Sequence, residues 1–261
     1  MHRVDAGKFA ESGVVVTVYS SRDSMLKALG KSLSGVTRVA MEYSPENTLT
    51  RVSRVDAGTV KLALSMSHEV VSSADLMQYA THQWTPEQLS DHRRTDDKLG
   101  RIVNEAFAHA GEHLVKGVTE FQVAEFIRSR FREEGIESPD GPIVAVNANA
   151  TDPHYEPTAD NTSMIKRGDW LLIDLWAKGV APGSVYADIT WKTPTIRVPS
   201  CWGSQADRVA RDYITSRGYG EYFTHRLGYS IGFEVHSEAV NLDGFETHDT
   251  RNIIPGVCFS I

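Results

Sequence analysis

Cysteine is scarce: Cys201 and Cys258 are the only two in the 261-residue chain. Two thiols cannot build a disulfide framework, and neither sits in a Cys-x-x-Cys pair of the zinc or redox kind, so a reducing, cytoplasmic setting is expected. An excess of base is lacking too. Against 27 basic residues stand 34 acidic ones, a formal charge of -7, which argues against a general electrostatic hold on nucleic acid or an anionic membrane. No window approaches the roughly 18 apolar residues of a membrane span, and the opening MHRVDAGKFAESG has no apolar signal-peptide core. Neither nucleic acid nor membrane is an expected partner. Internal repeats and low-complexity tracts are also missing.

What is present is a globular composition, 41% hydrophobic and 23% charged, with length for one or two domains. The first third alternates β-branched runs with helical stretches: residues 14–19, a helix opened by Asp23, then residues 38–43. That rhythm is α/β. Two capping-box starts follow, Thr85-Pro86-Glu87-Gln88 and Thr119-Glu120-Phe121-Gln122, each with Thr three residues before Gln. The helix after Thr85 repeats apolar residues three and four apart from Leu99 to Leu114 and should end near Gly117; the next carries Val123, Ile127 and Phe131 and should stop near Gly135. From Pro142 the texture turns to strands over IVAVN, 170–176 and 184–191, then a short helix over 207–216. The expected fold class is α/β (α+β), with domains at 1–82 and 83–261.

Asp174 lies inside the apolar strand LLIDLW, and Asp188 repeats the situation in VYADITW. A buried carboxylate needs a cation or a proton. If the two strands pair as a hairpin the carboxylates can face each other and share a proton or hold a divalent metal; the plainer alternative is a turn cap or a pairing with Lys178. His154 in DPHYEP, His225 in THRLGYSIG and His236 in FEVHSE fall in loop and strand-end contexts where sites tend to lie.

Together, PIVAVNANATDPHYEP, LLIDLWAK, VYADITW, HRLGYSIGFEVHSE and PGVCFSI resemble the pita-bread metallopeptidases: creatinase, aminopeptidase P and prolidase. VAMEYSP and SRVDAGTV resemble the small creatinase-type N-terminal domain of bacterial Xaa-Pro peptidases. The resemblance implies metal-dependent hydrolysis of Xaa-Pro peptide bonds, with a proline-containing peptide as partner and a homodimer left open. It implies that Asp174 and Asp188 hold divalent ions (Mn, Co or Zn), and that His154, His225 and His236 contact substrate and stabilise the tetrahedral intermediate.

The pattern breaks in three places. In the family's HxxGHxIG string the second histidine is a metal ligand; here it is Tyr229, whose phenol must lose a proton before it can ligate. The family's ligand glutamates fall beyond Ile261, so one ion or none is expected, and both domains read as incomplete. The stretch between Asp188 and His225, with Pro194, Pro199 and Gly203, is shorter than in relatives. Two alternatives follow: a metal-free creatinase-like hydrolase, and a non-catalytic peptide-binding module.

Overall fold

The computed structural model describes residue 13 and residues 15–152, 154–189 and 202–261, and its contacts divide the chain into two units, 1–74 and 75–261. Val14, Pro153 and the 190–201 segment, with Trp191, Pro194, Pro199 and Cys201, lie outside the described residues.

In the first unit Ser21 opens α1 (Arg22–Ser32). Its hydroxyl accepts from the Ser24 amide at 3.2 Å and the Ser24 hydroxyl accepts from the Ser21 amide at 2.8 Å, a closed capping box. The cap is therefore Ser21, and the expected opener Asp23 sits in the first turn, where its charge suits the helix dipole. β1 (Arg38–Met41) runs to α2 (Ala57–Ser65), capped by Asp56, and on to β2 (Glu69–Ser72), which lies parallel to β1 with Arg38 opposite Glu69. This is the expected α/β rhythm in its smallest form. The run before it differs from expectation: residues 15–18 carry no strand, and Val15 is 96% exposed because no sheet offers the run a face to bury.

α3 (Ala74–Thr81) lies almost wholly in the second unit. Gln78, 1% exposed, accepts from the Val240 amide at 2.6 Å and donates to the Asn252 carbonyl at 2.9 Å. Those bonds tie the helix to segments far ahead of it in sequence.

α4 (Pro86–His113) starts at Thr85, whose hydroxyl accepts from the Gln88 amide at 3.2 Å. Leu99, Ile102, Ala106 and Ala110 form its buried stripe. β3 (Val118–Thr119) leads into α5 (Glu120–Glu134), which ends at Gly135 in the left-handed region, φ 64°, as a helix C-terminus favours. β4 (Ile136–Glu137), β5 (Ile143–Val146), β6 (Met164–Ile165), β7 (Leu171–Gly179) and β8 (Ala187–Ile189) follow. β7 is the spine: β5 pairs with its first half, β8 with residues 175–177 and β4 with its end, all antiparallel. β3 pairs with β6.

Burial along β7 alternates with the period of a strand. Ile173, Leu175 and Ala177 point into the core shared with Leu99, Ile102, Val123, Ile127 and Phe131 of the two helices. Each fully buried Leu or Ile contributes about 1.5–3 kcal/mol of transfer free energy. The opposite face of β7 is left for Asp174 and Trp176.

α6 (Gly203–Ser216) inverts the usual pattern: it buries Ser204 and Asp207 and exposes Val209 and Tyr213. Gly203 allows this, since a Cβ there would run into the Asn241 carbonyl. β9 (Tyr229–Ile231) and β10 (Cys258–Ser260) pair antiparallel with Tyr229 opposite Ser260, and Gly228 is required just before β9 because the Ser260 carbonyl occupies the space of a Cβ. Among the described residues no helix is long and apolar enough to cross a membrane.

Candidate functional site

A cleft of about 800 Å³ opens on the face of β7 that the core leaves free. Asp174 and Trp176 enter it from β7, Ile143 from β5, His154 and Glu156 from the loop after β5, and His225, Arg226, Tyr229 and His236 from the segments around β9. Four of the five predicted site residues thus line one cavity, together with Tyr229.

The fifth, Asp188, stands directly behind. Its register opposite Trp176 puts it on the same sheet face as Asp174, since residues paired across strands share a face and residues two apart along a strand do too. Tyr229 bridges it to the cleft, donating its hydroxyl to Asp188 Oδ2. Asp188 Oδ1 is buried and has no hydrogen-bond partner among the described residues. Burial raises the Asp188 carboxyl above the usual carboxylate range, against the opposing hydrogen bonds from Tyr229 and Ser260. Burial likewise pushes up the Tyr229 phenol, and the Asp188 charge adds to it, so the ring stays neutral. Its edge meets the His236 ring at a centroid distance of 4.2 Å.

The loop carrying His225 is held from below. Arg211 on α6 pairs with Asp207 at 3.0 Å, lies between the rings of Phe223 and Phe245 at 4.3 Å from each, and donates to the carbonyls of Phe223 and His225 at 2.7 Å. Asp207 also accepts from the Leu227 amide at 2.8 Å. Above, Glu246 accepts from the Arg226 amide at 3.1 Å and meets His225 Nε2 at 3.3 Å. The other ring nitrogen, Nδ1, lies 3.1 Å from the Arg226 carbonyl, so both nitrogens of the imidazole face acceptors within the loop. Asp243 and Asp249, both wholly buried, tie the return segment: Asp249 pairs with Arg251 at 2.6 Å, and Asp243 accepts from the amides of Phe245, Glu246 and Thr247.

Sequence reasoning missed Trp176, Arg226 and Glu246 as cleft residues. Trp176 was legible, two residues from Asp174 on the same face; an added Cβ at Gly141 would meet its ring at 2.7 Å, so the glycine makes room for the indole. Glu246 carried no local signal. No group of three or more His, Cys, Asp or Glu that could hold a metal ion is present among the described residues.

With this geometry in view, comparison with known proteins is specific. The profile of metallopeptidase family M24 matches residues 97–200 and 195–261. A Xaa-Pro dipeptidase of Lactobacillus delbrueckii subsp. lactis is 32% identical over 186 residues, 63% of this chain and 49% of that protein. Dipeptidase PepE from Mycobacterium ulcerans superposes with a TM-score of 0.63 at 21% identity, over 98% of this chain and 71% of that one, and prolidase from Pyrococcus furiosus with 0.55 at 20%, over 95% and 71%. The chain spans about half the length of the curated relatives it matches. The sheet with its helical cover is the pita-bread fold of these neighbours, and the chain belongs to metallopeptidase family M24.

Proposed function

We propose that the cleft takes Xaa-Pro peptides and serves prolidase-type hydrolysis of the bond before proline, with one divalent ion held by Asp174 and Asp188. The observation that carries this reading is the buried, partnerless Oδ1 of Asp188, on the sheet face it shares with Asp174 and next to a cleft lined by three imidazoles. A buried carboxylate oxygen without a donor is costly, and a cation relieves that cost. The residues fit one ion and not two: Tyr229 stands at the family's ligand histidine and spends its hydroxyl on Asp188, and no third carboxylate or imidazole joins the pair among the described residues.

When bound, a manganese, cobalt or zinc ion there polarises a carbonyl and lowers the pKa of a coordinated water. The protein's own groups do the rest. Trp176, Ile143 and Val235 supply an apolar wall suited to a prolyl ring. His154 and His236, the latter packed against Tyr229, line the cleft as groups able to donate to a carbonyl, while His225 lines it with its ring nitrogens engaged by Glu246 and the Arg226 carbonyl. Proton donors fixed in place before the reaction stabilise a developing oxyanion at no reorganisation cost.

The test is release of proline from an alanyl-proline dipeptide, measured with manganese and with a chelator, beside calorimetric affinity for the same peptide. Release that needs the ion and disappears in Asp188→Asn supports the reading; absence of both affinity and release overturns it. The Tyr229–Asp188 hydrogen bond favours one second reading, a peptide-binding module without turnover. In that case affinity persists without release and Tyr229→His restores ion dependence.

A further inference from the structure

Every polar atom of the Glu120 side chain is used, and none of it touches the cleft. Glu120 is wholly buried at the first position of α5, and no lysine or arginine pairs with it among the described residues. Its Oε1 accepts from the Val146 amide at 2.7 Å and from Asn149 Nδ2 at 2.9 Å. Its Oε2 accepts from the Ser163 amide at 2.6 Å and the Tyr155 hydroxyl at 2.7 Å, with Asn149 Nδ2 at 3.2 Å.

These donors belong to one loop. Val146 ends β5 and Ser163 precedes β6, so the carboxylate grips both feet of the span 147–162; Asn149 and Tyr155 lie within it. Beside His154 the bonds are local, the His154 amide to Asp152 Oδ1 at 2.9 Å and the Tyr155 amide to the Asp152 carbonyl at 3.1 Å. The loop's outer part carries His154 and Glu156 into the cleft. Glu156 is held independently by Arg128 on α5 at 3.3 Å, but without the clip His154 would hang on a surface loop, and such loops are the mobile part of a fold. A charged acceptor shared among four donors makes stronger bonds than a neutral one would.

We infer that Glu120 is a positioning residue: through Tyr155 it sets where His154 stands in the cleft. This goes beyond the sequence signal, in which Glu120 is merely the residue after a helix cap, and it rests on reading the cleft as a peptide site. Displacement of a site group by an ångström costs on the order of 100-fold in rate, so the clip matters to function while lying out of reach of any substrate.

Tyr155→Phe is the sharper probe, since it removes the link to the His154 arm and leaves the bonds to Val146, Asn149 and Ser163. Glu120→Gln keeps the size and turns two acceptors into a mixed amide. The first readout is the histidine side-chain NMR spectrum of the free protein, His154 being assigned with His154→Gln. We expect both variants to shift and broaden the His154 signals while those of His225 and His236 stay in place, and to weaken alanyl-proline affinity about tenfold or more. The double variant should do no more than the worse single one, because the two residues act through one contact. His154 signals unchanged in a folded Tyr155→Phe protein would overturn the inference, with or without peptide affinity. Shifted His154 signals in the variants, with a parent that binds no peptide, would instead retain the clip and refute the peptide site. Should Glu120→Gln fail to fold, Tyr155→Phe alone decides.

Discussion

Tyr229 and Asp188 form the pair on which the site turns. In Tyr229→Phe the Asp188 carboxylate loses its strongest donor while staying buried, which costs about 1–3 kcal/mol for a polar group left without its partner. Thermal unfolding should show that loss, and manganese should stabilise the variant more than the parent, since the ion then replaces the missing donor. Equal responses to manganese would mean the ion does not reach Asp188. A second residue-scale effect lies away from the cleft. Burial, with the neighbouring His113 charge as a lesser cause, holds His109 below the usual imidazole pKa; its ring stacks on Phe126 at 4.3 Å. The unfolded chain takes up that proton first, so the contribution of His109 to stability is complete above about pH 6.5 and is lost as pH falls through the lower folded value. Urea midpoints between pH 7.5 and 5 should fall less steeply in His109→Gln.

Among the elements, α6 shows why part of the site was invisible in the sequence. Its polar face is the buried one, because Asp207 and Arg211 hold up the loop that brings His225 to the cleft. Arg211→Ala leaves Asp207, 1% exposed, without its cation, a change that costs about 3–5 kcal/mol for a broken buried pair. The expectation is partial unfolding and loss of the His225 signal from its native position; a variant as stable as the parent would show the helix to be a passenger. Period and caps made other elements plain. The Thr85 and Thr119 boxes mark the true starts of α4 and α5, and Leu99, Ile102 and Ile127 are core because they recur at helical spacing. The strand alternation around Asp174 was equally readable, and with it the shared face of Asp174 and Asp188. Glu120 and Glu246 were not, because their partners lie 26 to 43 and 20 residues away along the chain, and a carboxylate's distant partners leave no periodic trace.

Across the whole molecule the charge is -7, and the cleft itself is acidic: Asp140, Glu156, Asp174 and Glu246 against Arg226. Such a field favours cationic ligands and is screened by salt over about 8–10 Å. Peptides carrying an added lysine should bind more tightly than those with an added glutamate, and the gap should close at high ionic strength. The family profile and the pita-bread neighbours account for the architecture; the proposed ion site depends on the phenol at 229 and its hydrogen bond to Asp188. Titration of manganese into the protein, with tryptophan fluorescence and calorimetry read together, probes that feature most directly. One ion per chain, lost in Asp188→Asn, is the outcome the account predicts; two ions bound with similar affinity, or one that Asp188→Asn leaves undisturbed, would contradict it.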